Sequence, residues 1–164
     1  MEENISTDFF EESAPGARAL KTIVLGGMTV GVLDCLAATI NAGRKGVSFS
    51  QVWQYVASGL LGRESSNYGW NSVVLGLLIH FFIAFSVVTV YYLASRRFPL
   101  LIRQAVPCGA LYGVAVYFFM GWLVVPLSAV ARIPFSWSGM LTGIFIHIVC
   151  VGLPAALIVR RFEK

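Results

Sequence analysis

The sequence predicts an all-α membrane protein with four transmembrane helices, arranged as two tandem hairpins, plus a short helix in the first outer loop. Three observations carry that expectation. Charged residues make up only 12% of the 164 positions, whereas a soluble domain carries about 25%. Hydrophobic residues make up 57%, and the mean hydropathy is +0.77. Four apolar stretches approach the roughly 20 residues that a helix needs to cross a bilayer. So little charge cannot cover a water-facing surface, and lipid is the expected partner.

The four stretches run over about 20–42, 71–95, 104–126 and 138–159, within one domain spanning 19–164. Residues 1–18 are acidic and polar, with no basic segment ahead of an apolar core. They read as a disordered cytoplasmic tail rather than a signal peptide. The first outer loop is too long for a plain hairpin. Within it, 50–63 places Val52, Val56, Gly59 and Leu60 on one helical face. That segment is too short to span, so it reads as an interfacial helix or as a re-entrant one.

Basic residues cluster at the ends of the apolar runs, which fits headgroups and topology rather than nucleic acid. With four spans, the tail, the middle loop and the C-terminus share one side. That side holds Arg18, Lys21, Arg96, Arg97, Arg103, Arg160, Arg161 and Lys164; the other holds Arg44, Lys45, Arg63 and Arg132. Eight against four predicts cytoplasmic N- and C-termini. Trp53, Trp70, Trp122 and Trp137 then form a one-sided aromatic belt at the outer interface. The cysteines, Cys35, Cys108 and Cys150, form no CxxC pair and read as small buried hydrophobes.

Small residues repeat between the two halves. Gly27-x3-Gly31 is echoed by Gly109-x3-Gly113, and Gly76-x3-His80 by Gly143-x3-His147. Such positions let helices approach closely in lipid. The expected packing face of the first helix is Gly27, Gly31, Asp34, Ala38 and Asn41, and of the second Ser72, Gly76, His80 and Ala84. On the fourth it is Gly139, Gly143, His147, Cys150 and Pro154.

Ionisable side chains inside the hydrocarbon are rare and face the bundle interior. Here they are Asp34, His80 and His147, and Tyr117 on the third helix falls at a similar depth. Three readings follow. The four residues form a proton or small-solute site, in which a histidine near neutral pH relays or gates. Alternatively they only pin helices together, with Asp34 bonded to one histidine and Tyr117 to the other. The third reading is a haem or metal held by His80, His147 and Asp34. The leading reading needs no cofactor. A homo-oligomer is expected if a solute is to pass, because four helices leave little room. No Gly-rich phosphate loop and no nucleophile constellation outside the membrane points to an enzyme.

The stretch from about Asn71 to Arg161 resembles the small bacterial inner-membrane proteins related to YagU. The residues that carry the resemblance are His80, Tyr91, Gly109, Gly113, the Met120…Pro126 end of the third helix and Gly143-x3-His147. It implies a multi-pass bacterial inner-membrane protein without an assigned catalytic activity, and it brings no ligand or catalytic residue with it.

Overall fold

The computed structural model describes residues 15–131 and 134–163, and these are almost entirely helical. Residues 1–14 of the expected tail, and Arg132 and Lys164 of the charge count, lie outside the described residues. The helices are α1 (Pro15–Gly43), α2 (Phe49–Leu61), α3 (Trp70–Arg97), a single turn α4 (Leu100–Arg103), α5 (Ala105–Leu127) and α6 (Trp137–Glu163). A 3-10 turn (Gly62–Tyr68) joins α2 to α3. Four of these helices, α1, α3, α5 and α6, are long and apolar enough to cross a membrane. α1, α3 and α6 overrun the expected bounds because their polar ends continue the helix beyond the apolar core, and α5 is shifted by one residue. Pro15 starts α1, where its missing N–H costs nothing. Residues 15–18, expected in the tail, are therefore helical.

Helix α1 packs on α3, α6 packs on α1, and α5 packs on α6. Glycines set the close approaches. A methyl group on Gly27 or Gly31 would strike the Phe85 or Phe81 ring of α3. Gly109 and Gly113 lie directly against the α6 backbone at Gly152 and His147. α3 and α5 meet at Tyr112, whose hydroxyl donates to the Val87 carbonyl (2.7 Å) and whose ring sits edge-on to Tyr91. One buried cluster is accordingly made of small side chains, Val30, Ala84, Val88, Val116, Val151 and Ala155, and a second gathers around Tyr91 and Tyr92. Many large apolar residues point outward: Leu78, Phe82, Leu111 and Phe145 are all exposed.

Helices α5 and α6 each contain a wide π-turn, Met120–Val124 and His147–Gly152. Each turn ends two residues before a proline, Pro126 and Pro154. Proline donates no hydrogen bond and its ring crowds the carbonyl four residues earlier. Widening the preceding turn by one residue shifts the ladder, so that Val125 N–H reaches Met120 O and Leu153 N–H reaches Ile148 O. The extra residue also rotates the rest of α6. The expected packing face continued through Cys150 and Pro154; instead Val151, Gly152, Ala155, Ala156 and Val159 are buried.

At one end of the bundle Arg96 pairs with Glu163 at 3.1 Å. There too Lys21 lies over the Phe162 ring, 5.4 Å from its centroid. This basic end gathers the termini of α1, α3 and α6. The opposite end carries α2. Ser48 caps that helix, its hydroxyl accepting from Gln51 N–H while the Gln51 side chain accepts from Ser48 N–H. Gly62 (φ 64°) and Gly69 (φ 53°) bracket the turn that follows, in a region L side chains rarely enter. Gln54 donates to Gly69 O, Tyr55 to Ala131 O, and Ala129 N–H to Gly59 O. The helix is thus fastened across the bundle from α3 to the second loop. Trp70, Trp122 and Trp137 are 70% exposed or more, as a belt requires, but Trp53 is only 1% exposed. Trp53 is a core residue, because α2 turns its Trp53 and Ala57 face onto α3.

Candidate functional site

Asp34, His80 and His147 sit nine or ten residues in from the α2 end of their helices, about 14–15 Å along the axis. All three line one partly open cavity of about 250 Å3. Its remaining walls are apolar, chiefly Val30, Ala84, Val116 and Val151, with Trp53 of α2 as the roof. Each spanning helix contributes to it. Trp53 gets there because α3 has Gly76 one turn before His80, and the Trp53 carbonyl occupies the space a side chain would fill. The indole then meets the His80 imidazole edge-on, with ring centroids 5.0 Å apart.

His80 bridges two partners. Its Nε2 lies 2.9 Å from Gly31 O on α1. A carbonyl only accepts, so Nε2 is the nitrogen that carries hydrogen. Its Nδ1 faces the Asp34 carboxylate at 3.9 Å. At 3.9 Å this is an ion-pair distance rather than a hydrogen bond. The pair is enclosed, with the His80 and Asp34 side chains 13% and 20% exposed.

His147 is arranged differently. Its Nδ1 donates to Gly143 O of its own helix at 2.9 Å, which leaves Nε2 as the acceptor nitrogen of the neutral ring. The indole N–H of Trp53 is fully buried and has no hydrogen-bond partner. A buried orphan donor of this kind costs about 1–3 kcal/mol unless something in the cavity meets it. At about 30 Å3 per molecule of liquid water, the cavity is roomy enough for several.

The structure brings together three of the four expected residues. Tyr117 does not line the cavity. Its ring packs edge-on against His147 at 5.4 Å, and its other side faces a separate surface pocket with Lys45 and Trp122. The expected Tyr117–histidine hydrogen bond is replaced by that ring contact, because His147 spends its donor on Gly143 O. Tyr117 is therefore a partition between pocket and cavity. Trp53 is the contributor that a belt assignment conceals; its spacing from Ala57, one turn on, is the signal that it faces inward. Among the described residues no group of three His, Cys, Asp or Glu is placed to hold a metal ion.

No family model, curated protein or solved structure matches the chain.

Proposed function

We propose that this is a multi-pass plasma-membrane protein that binds and passes a proton or small solute at the Asp34–His80–His147 cavity. The observation that carries the reading is the Asp34 carboxylate facing His80 Nδ1 while the other ring nitrogen is committed to Gly31 O. A coupled carboxyl–imidazole pair takes up and gives off a proton as one unit. His147, across the same cavity with a free acceptor nitrogen, is the next station. π-turns occur frequently at functional sites, and residues of both line the cavity, Met120 from one and His147 and Val151 from the other.

In this reading Tyr117 is the partition toward the outside and α2 is a re-entrant cover. Trp53 reaches His80, about 15 Å inside α3, which favours re-entrant placement over a helix lying flat. The excess of basic residues at the α1, α3 and α6 termini supports cytoplasmic N- and C-termini. The likeness to YagU-related proteins supports a bacterial inner membrane and a non-enzymatic role. One observation favours the second reading, a structural membrane protein: the His80–Gly31 bond also pins α3 to α1. Interhelical bonds of this kind contribute about 0.6 kcal/mol.

The test is proton flux in liposomes loaded with a pH-sensitive dye, with helix content followed by circular dichroism. Asp34→Asn and His80→Ala are expected to cut flux at least tenfold while helix content stays unchanged. If both variants melt earlier but conduct as the parent does, the cavity is only a packing seam.

A further inference from the structure

On the side where α3 and α5 diverge, an apolar groove of about 510 Å3 opens to the surroundings. Phe82, Val90 and Phe119 form its rims and are all more than half exposed. Its one buried hydroxyl, Tyr112, is turned to Val87 O, and Ser86 is turned to Phe82 O. The groove and the cavity share one wall. Ile83, Val87, Val116 and Met120 line both. Met120 opens the α5 π-turn, so the flexible thioether sits at the junction. The groove lies midway along α3 and α5, at the depth of the bilayer hydrocarbon.

The cavity behind it has a definite charge character. Among the described residues Asp34 is its sole lining residue with a formal charge, and no Lys or Arg lines it. His147 presents an acceptor nitrogen, and Trp53 presents an indole. A carboxylate and an acceptor ring nitrogen complement a cation or a protonated amine, and the Trp53 N–H is the one lining donor that an ammonium leaves unmet.

We propose that the site takes lipophilic amines, which enter sideways from the bilayer: the ammonium head lies against Asp34 and the apolar tail lies in the α3–α5 groove. This rests on the site reading given above and names its ligand class.

The test uses protein in nanodiscs and tritiated n-octylamine, scored as saturable binding above empty nanodiscs. n-Octanoate, with a tail of similar length and the opposite head charge, is the comparison. Octylamine is expected to saturate near one per chain, and octanoate is expected not to bind. Asp34→Asn should lower octylamine affinity at least tenfold. Ala115→Trp, which fills the groove without touching the cavity, should do the same. Leu111→Trp, exposed on the same helix but outside the groove, should leave it unchanged. Equal binding of octanoate, no saturable amine binding, or parent-like binding by correctly folded Ala115→Trp overturns the proposal. If amine binding is absent while Asp34-dependent proton flux persists, only the ligand class falls. If flux does not depend on Asp34, the site reading itself falls.

Discussion

Trp53 has an aromatic residue's bulk and an orphan donor's cost. Its ring is fully buried against His80 and the α3 backbone, so Trp53→Ala should destabilise the fold by about 3–5 kcal/mol. Trp53→Phe keeps most of the ring and removes the unpaired N–H, so it should stay within about 1 kcal/mol of the parent. Denaturant titration in detergent, followed by circular dichroism, separates the two. Tyr112→Phe removes the hydroxyl that ties α5 to Val87 O. It should cost about 0.6 kcal/mol, and at most about 2. At this scale Asp34, His80 and His147 were legible in the sequence, because ionisable groups inside apolar runs have few alternatives to an interior position. Which atoms they use was not. The His80–Gly31 bond depends on a carbonyl of another helix, and neither spacing nor composition locates it. Trp53 was misread because the other three tryptophans are exposed at the α2 end of the bundle, and residue type alone does not separate the fourth.

Among the elements, glycine spacing was the most informative signal. The two GxxxG frames mark where α1 meets α3 and where α5 meets α6. Gly113→Ala would drive a methyl group into the α6 backbone at His147, and it should lower the melting temperature in detergent by several degrees. Gly121→Ala, on the same helix but facing open space, should change it little. The π-turns were not legible in advance. A periodicity of 3.6 continues the α6 face through Cys150 and Pro154, and only the ladder shift ahead of Pro154 moves burial to Val151 and Ala155. α2 was legible as a helix from its apolar face and length. Its docking depended on Gly76, which sequence reasoning had assigned to contacts between spanning helices. Burial pushes the Tyr55 phenol up, so its bond to Ala131 persists above the usual tyrosine range. The phenol's contribution is full below that range and is lost as alkali ionises it, loosening α2 from the second loop.

Across the whole molecule three spaces lie side by side. A roofed cavity holds the ionisable groups, a lateral groove opens beside it between α3 and α5, and Tyr117 separates it from a surface pocket near Lys45. The four apolar helices followed directly from composition and hydropathy, since hydrocarbon leaves a spanning backbone few alternatives to a helix. The gap between α3 and α5 did not, because it depends on the order in which helices pack around the ring. The central claim is that Asp34 and His80 act as one unit beneath Trp53 while His147 is bonded separately. Solid-state 15N NMR of the imidazole nitrogens in lipid tests this most directly. His80 is predicted to carry hydrogen on Nε2 and His147 on Nδ1, and Asp34→Asn is predicted to shift the His80 Nδ1 signal and leave His147 unchanged. A His80 signal indifferent to Asp34→Asn, or hydrogen on the opposite nitrogen of either ring, would contradict the account.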